Sequence, residues 1–387
     1  MSYPSVDLLQ KTLMESVFHN RTDAKKAAGR ALGTLVEIIT FYLLRSWEFR
    51  DALAIERPLP EFANSEITHN VEYSLHPVLE QSLYSFPLKR LPLTTAKIRE
   101  SMGETIGGKM EDHKSNELLS SRRVLRNACT LASSETELFL AHLDRYDESD
   151  CHFSVAKLHP HPYAIFECKR VGIEEGMKKG PQTIEKAKQG AYVARVVSGL
   201  QKIRLVDGSL VGVIEKEDQT IEARPYKELL REIIETDNSK FLRSFILTVG
   251  IVSNHGNWFT QETQNKEIKV LAQSYDWLLF LEDRGLADFI QELLIDPKPE
   301  YEPVKNAFMK SYEGEKRQNC FTKVLMDALA DDALKLYFRT HRDRVALWFN
   351  VLTPRDSSLD LLKQDLTRLK TKNWKEVWND DSGTHRQ

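Results

Sequence analysis

Apolar residues recur at positions 32, 35, 36, 39, 42 and 43 within "DAKKAAGRALGTLVEIITFYLLRSW", residues 23–47. That spacing predicts a helix, which Asp23 can cap. A shorter amphipathic helix is expected over residues 5–20. One carboxylate, Glu37, sits beside the apolar stripe, an odd place for a charge. "DALAIERPLPEF" and "ITHNVEYSLHP" then read as strand and loop, punctuated by prolines. Residues 77–125 are less regular, and "GETIGGKMEDHKSNE" reads as a Gly- and charge-rich loop. "SSRRVLRNACTLASSETELFLAHL" is expected to be helical in both halves, with a break at Ser133–Ser134. Ser134 precedes Glu137 by a capping-box spacing.

The period then shortens. Phe153, Val155 and Lys157 alternate with Ser154, Ala156 and Leu158, "HPHP" breaks the chain, and "YAIFECK" follows. This predicts a β-hairpin or close strand pair. Residues 181–204 predict a helix with Pro181 in its first turn. "SLVGVIEKE" predicts a short strand, "YKELLREIIETD" a helix, and residues 245–252 the most apolar strand of the chain. Hairpin, helix and strand in that order imply an α/β class, a central mixed β-sheet flanked by helices. From about residue 267 the pattern reads as almost wholly helical. The expected organisation is a core over residues 1–300, with residues 77–140 inserted, and a helical C-terminal region over residues 301–387.

Charge changes this picture locally. With 54 Lys+Arg against 57 Asp+Glu, the net charge of -3 is no global signature of a polyanion binder. Residues 167–204 nevertheless hold nine Lys/Arg against four Asp/Glu, which amounts to a basic strip or a solvated helix face. The four cysteines lack CxxC spacing, so neither a disulfide framework nor a zinc site is expected. No apolar run approaches the roughly 18–20 residues of a membrane span, and the start has no basic-then-apolar pattern. A cytoplasmic protein is the expectation. There is no GxSxG elbow and no GxxxxGK[ST] loop, which argues against a serine hydrolase or a P-loop ATPase.

The chemistry centres on "YAIFECKR", residues 163–170. Residues i and i+2 of a strand share a face, so Glu167 and Lys169 project together from the end of an apolar strand. Burying both is costly unless each has partners or a metal. Upstream lie Asp144, Asp147, Glu148 and Asp150. A tight turn at "HPHP" brings Asp150 to the face of Glu167 and Lys169; a one-residue slip reverses this, and Asp147 and Asp144 remain rivals. Two carboxylates and a lysine suit a hard cation such as Mg²⁺. The lysine can orient a metal-bound water, and the metal can stabilise charge on a phosphodiester.

An Asp followed by Glu-X-Lys on a strand pair, then a helix and a strand, resembles the PD-(D/E)XK nuclease superfamily. "FECKRVGIEEGMKKGPQTIEKAKQGAYVARVV" looks particularly like type II restriction endonucleases. The resemblance covers roughly residues 25–260 by element order, and only the Asp…Glu-X-Lys core is specific. It implies a restriction-endonuclease-like core. Asp150, Glu167 and the Cys168 backbone carbonyl become Mg²⁺ ligands, and Lys169 the water-organising lysine. Glu37 would be a helix-borne glutamate facing the metal, and Gln189 the helix-borne glutamine of RecB-like members. The bland counterparts are an ion pair of Glu37 with Arg30 or Lys26, an ordinary helix position for Gln189, and a strand-entry turn for Asp150. No Pro precedes Asp150, and the distance from Glu37 to the motif implies an insertion that could hold DNA-recognition elements.

The implied function is a Mg²⁺-dependent, sequence-specific endonuclease of double-stranded DNA. A homodimer and a cognate DNA methyltransferase follow as family expectations. DNA contacts are expected from Lys178, Lys179, Lys186 and Lys188, from Arg122, Arg123 and Arg126, and from His255 and Asn257. Tyr192 is expected in the core. Two other readings stand beside this one. The first is a RecB-like nuclease subunit of a phage-defence or repair complex. The second is a DNA-binding or scaffold protein whose Glu-X-Lys is only a strand-end ion pair.

Overall fold

The computed structural model describes residues 11, 13–15, 24–103, 111–113, 116–171, 190–216, 219–254, 260–262, 266–312 and 320–379. Helix α1 spans Ala24–Ser46. The strands that follow are β1 (Leu53–Glu61), β2 (Asn64–Leu75), β3 (Val78–Pro87), β4 (Leu93–Thr94), β5 (Glu111–Asp112) and β6 (Glu117–Leu119). Next come β7 (Val124–Arg126), β8 (Cys129–Ser133), β9 (Leu138–Tyr146), β10 (Asp150–Leu158), β11 (Ala164–Val171) and β12 (Gln201–Arg204). The last are β13 (Leu210–Glu215), β14 (Ile221–Pro225), β15 (Leu247–Asn254), β16 (Trp277–Leu281), β17 (Leu325–Asp327) and β18 (Phe349–Thr353).

A six-stranded mixed sheet, ordered β1-β2-β11-β15-β16-β18, forms the centre. Strand β11 runs antiparallel to β2 and parallel to β15. A parallel pair needs a crossover, and the chain between β11 and β15 supplies a helix at 190–196, the β12-β13-β14 sheet and the helix Tyr226–Glu235. Both faces of β11 are covered. Phe166 and Cys168 pack in one cluster with α1, whereas Ile165 packs with Val193 and Val197. That double cover is why "AIF" is continuously apolar rather than alternating.

Helix α1 is buried nearly all round over its second half. Leu35, Ile38, Ile39 and Leu44 are fully buried, because the sheet lies on one side and C-terminal helices on the other. The long-range helix partner is Ala328–Thr340. Between them Arg45 and Asp331 form a buried ion pair at 2.6 Å. Asp331 also accepts from Tyr42 Oη at 2.6 Å and faces Lys335 Nζ at 3.1 Å. Arg45 reaches Asn127 Oδ1 at 3.2 Å, tying α1 to the turn between β7 and β8.

After β2 the chain leaves the central sheet and builds a second one, ordered β3-β10-β9-β8-β5, over its own cluster of Phe86, Leu131, Leu143 and Phe153. A small sheet β17-β7-β6-β4 joins this excursion to the C-terminal half. The expected hairpin of residues 150–158 with 163–170 is therefore corrected. Strand β10 pairs with β3 and β9, and β11 pairs with β2 and β15. "HPHP" is the crossing between the two sheets. His159 donates its amide to Pro77 O at 3.0 Å and stacks its ring on Trp378 at 4.1 Å. The excursion also runs on past residue 140, to Leu158.

Other elements differ from expectation for identifiable reasons. Residues 124–146 are strands, not helices. Ser134 does accept the Glu137 amide, at 3.0 Å, but it closes the β8–β9 turn instead of capping a helix. "WLLFL" at 277–281 and "FNVLT" at 349–353 are strands within the expected helical region. Short apolar runs do not separate strand from helix by period, and the open edge of β15 decides the matter by pairing with β16. Trp277 and Trp348 are buried core residues. No helix of the described residues is long and apolar enough to cross a membrane.

Removing one partner of a buried ion pair leaves a charge with no compensation. Asp331→Ala is expected to cost about 3–5 kcal/mol in urea unfolding. Asn127→Ala, which removes only a hydrogen bond to the guanidinium, is expected to cost about 1.5–3 kcal/mol. Equal costs would show that Asp331 does not neutralise Arg45.

Candidate active site

Glu167 is fixed where one ladder ends. Strands β2 and β11 pair through Ala164–Leu75, Ile165–Ser74 and Phe166–Tyr73, and no further. The next amide of β2, that of Glu72, donates instead to Glu167 Oε1 at 3.2 Å. A side chain thus takes over from the backbone and satisfies a donor that would otherwise be stranded. On the other side β11 stays paired with β15, Glu167 opposite Gly250 and Lys169 opposite Val252.

Glu167 is packed from above by the 190–196 helix. A Cβ on Gly190 would stand 3.7 Å from Glu167 Cβ and 2.7 Å from Tyr275 Oη. A Cβ on Gly250 would meet the Tyr275 ring at 2.7 Å. The two glycines therefore make a slot for Tyr275 beside Glu167. Burial pushes the Glu167 carboxyl up to about 7, against the opposing pull of Lys169 and His69. Burial and the nearby Glu167 carboxylate in turn push the Tyr275 hydroxyl well above its usual range. Cys168, on the other face, is buried; its thiol donates to Thr40 Oγ1 of α1 at 3.4 Å, and burial raises it far above an ordinary thiol.

The carboxylate of Glu72 points to a different partner, Lys323, which it contacts directly. Glu37 Oε2 and Glu56 Oε1 reach the same ammonium at 3.2 and 3.1 Å. Tyr73 helps to set this arrangement: its hydroxyl donates to Glu37 O at 2.5 Å, and its ring lies 5.7 Å from Lys323 Nζ. Glu56 interrupts strand β1 in a left-handed backbone, φ 52°. The β1–β2 ladder pairs Ile55 with Tyr73 and Arg57 with Val71, and passes over Glu56 and Glu72 between them. A non-glycine residue held this way costs about 1–3 kcal/mol, and such strain gathers at functional sites. Residue 72 thus joins two groups, with its amide on Glu167 and its carboxylate on the Glu37–Glu56–Lys323 cluster.

A second polar group flanks the site. His69 Nε2 and Glu61 Oε1 lie 2.9 Å apart, and Tyr192 donates its hydroxyl to the same Glu61 oxygen at 2.9 Å. Tyr192 is 50% exposed, which corrects its expected place in the core. Its ring sits on the outer face of the helix, edge-on to His69 at 5.6 Å.

Asp150 is not part of this constellation. It starts β10, opposite Pro87 of the second sheet, and accepts from Ser149 Oγ at 2.6 Å. The rival acids are engaged with other partners. Asp147 accepts the amides of Asp150 and Ser149, which hold its carboxyl well below the usual range. Asp144 pairs with Arg50. Parity failed because the turn it assumed does not exist.

Arg122 and Arg123 lie exposed in the β6–β7 turn, and Arg123 sits over the Tyr146 ring at 5.5 Å. Arg126 is half-buried on β7. Gln189, Lys178, Lys179, Lys186, Lys188, His255 and Asn257 lie outside the described residues.

Sequence reasoning missed Glu72, Glu56 and Lys323. The alternation of His69, Val71 and Tyr73 in "THNVEYS" marks a strand, and Glu72 stands next to its most buried ring. Nothing local marks Lys323. Among the described residues, no group of three or more His, Cys, Asp or Glu side chains is arranged to hold a metal ion. Three of these carboxylates converge on an ammonium instead. No protein-family model, no curated protein and no solved structure matches this chain.

The raised Glu167 carboxyl has a sign that can be measured. Its folded-state value lies above the unfolded one, so the stability it contributes is complete below about pH 4.5 and is lost as pH rises through 7. Glu167→Gln does not titrate. In the presence of a chelator, it is expected to gain about 1–3 kcal/mol over the parent protein between pH 5 and pH 8. Urea unfolding of both proteins at the two pH values checks this; a difference independent of pH contradicts it.

Proposed function

We propose that this chain is a divalent-metal-dependent endonuclease of double-stranded DNA, of restriction type, with a PD-(D/E)XK-like core. The observation that carries the reading is the juxtaposition of Glu72 and Glu167 on neighbouring strands. Lys169 lies two residues along from Glu167, and Glu37 comes from the preceding helix. Glu72 takes the role that sequence reasoning gave to Asp150. With residues 78–158 and the β12–β14 sheet with its following helices set aside, a helix, the strands β1, β2 and β11, a helix and the parallel strand β15 remain, an order that supports the reading.

The donor types suit a hard divalent cation, but the described side chains are gathered on Lys323 and are not arranged around an ion. Their donors are carboxylate oxygens, as Mg²⁺ prefers, and Glu37 and Glu72 already share one positive charge, that of Lys323. Glu72 and Glu167, on neighbouring strands, would hold the ion. When bound, it would lower the pKa of a water and offset charge on the phosphodiester. The chain's own part is positioning. The Glu72 amide fixes the Glu167 carboxylate, the slot around Tyr275 keeps it from turning away, and Lys169 offers a cation to the phosphate or the attacking water. The second sheet, together with the β6–β7 turn and its arginines, forms the surface we assign to DNA recognition. A homodimer suits cleavage of a two-fold symmetric site.

Digestion of a plasmid with Mg²⁺ and sequencing of the ends tests this directly. Discrete, identical ends are expected; ragged ends favour a RecB-like nuclease. Glu72→Ala and Lys169→Ala are expected to lower cleavage on the order of 100-fold or more while DNA binding persists. Asp150→Asn is expected to stay within about twofold of the parent. Loss of cleavage in Asp150→Asn with Glu72→Ala active would sink the assignment.

A further inference from the structure

A cavity of about 280 Å³ opens between the 190–196 helix, β12 and the end of the helix Lys266–Ser274. Three of the residues that line it are cations: Arg195, Lys202 and Arg204. Lys202 and Arg204 stand two positions apart on β12, so one face of that strand carries both. Arg195 comes from the helix beside it. Among the described residues the lining has one acid, Asp276.

All three cations are anchored by neutral oxygens. Arg195 Nε donates to Ser274 Oγ at 3.0 Å, Lys202 Nζ to Tyr275 O at 2.8 Å, and Arg204 Nη1 to Gly208 O at 2.8 Å. Among the described residues none of them forms an ion pair. Elsewhere Arg45, Arg231, Lys323 and Arg344 each face a carboxylate. Nor does Asp276 supply the missing charge by contact, because its oxygens are taken. Oδ1 accepts from the Tyr226 hydroxyl, and Oδ2 accepts the Thr248 amide at 2.8 Å and the Thr248 hydroxyl at 2.9 Å. Lys202 is half-buried over the Tyr226 ring, 4.3 Å from its centre. Burial pushes its ammonium below the usual range; Asp276 pulls the other way, and the like charge of Arg195 pushes it down further. Positioned, repelling cations with donors to spare are what an anion would find already built.

We propose that this cavity binds a phosphate group, with Lys202 at its floor and Arg195 and Arg204 at its rim. The proposal is independent of the metal-dependent reading above, for neither Glu167 nor Glu72 takes part. A phosphate offers acceptor oxygens on every side and up to two negative charges, so three separate cations can meet it at once. The guanidinium fork matches two phosphate oxygens together, and each arginine spends one donor on its anchor. The volume lies just under the roughly 300–1,000 Å³ of a pocket for a drug-sized ligand. It suits a phosphate with ordered water, and a larger molecule would leave its remainder outside. The same chemistry serves free phosphate and a phosphodiester of a nucleic acid, and the test separates the two.

Inorganic phosphate is titrated into the full chain with a chelator present, and the melting temperature is compared with sodium chloride at equal ionic strength. The parent is expected to melt higher in phosphate, with saturation. Lys202→Met is expected to need on the order of 10-fold more phosphate for the same shift, and Arg204→Gln several-fold more. Lys227→Gln, an exposed cation outside the cavity, is expected to match the parent. Should Lys202→Met fail to fold, Arg204→Gln decides, since that side chain is exposed and held only by a loop carbonyl. A DNA duplex without terminal phosphates is then added. If it competes with phosphate in the parent and not in Arg204→Gln, the site takes a backbone phosphodiester; if phosphate binding is unaffected, it takes free phosphate or a phosphomonoester. A parent that responds no more to phosphate than to chloride overturns the proposal. So does an equal phosphate response in the parent and Arg204→Gln, or an equal loss in Lys227→Gln.

Discussion

The bond from the Glu72 amide to the Glu167 carboxylate is the hinge of this structure. It exists because the β2–β11 ladder stops at Phe166 and Tyr73 while β11 continues beside β15. A donor on one strand and a charge on the next are left facing each other, and each satisfies the other. Without it, a half-buried amide and a half-buried carboxylate would both lose this partner, at a cost of about 1–3 kcal/mol. Everything around the site is arranged to make that meeting possible. Phe166, Cys168 and α1 hold β11 from one face, and Ile165 and the 190–196 helix hold it from the other.

Charge is managed differently at the two buried centres. At Arg45–Asp331 the guanidinium and Lys335 face the Asp331 and Asp332 carboxylates, with Tyr42 donating to Asp331 and Asn127 accepting from Arg45. That centre has close to balanced charge and reads as architecture. At Lys323 one ammonium meets three carboxylates, one of them on strained backbone. The imbalance sets this centre apart from ordinary packing. Both centres join the beginning of the chain to residues beyond 320, so the C-terminal part is as much a component of the central body as α1 is.

Much of the scaffold was legible in the sequence because its signals are local. The period of α1, the apolar run of β15 and the pairing of Glu167 with Lys169 on one strand all depend on neighbours a few residues apart. The partner acid was not legible. It lies on β2, beyond an excursion as long as a small domain, and sequence proximity favoured Asp150. The alternation in "THNVEYS" was visible, but a strand's neighbour is chosen by tertiary contacts that periodicity does not encode. Lys323 is the extreme case, a residue with an ordinary local context that becomes part of the site only through β17. Strands β16 and β18 were missed for a related reason: an apolar pentamer takes the form that its open neighbour offers.

The excursion between β2 and β11 has one more property. Its entry and exit stand side by side, for Tyr163 N donates to Leu75 O at 2.8 Å and His159 N to Pro77 O at 3.0 Å. The two ends of the second sheet thus meet at one stitch in the first. A segment attached in that way can lengthen, shorten or be exchanged without altering the register of the strands that bear Glu72 and Glu167. Modular replacement of this kind lets one part of a fold diverge quickly while the strands beneath it stay fixed.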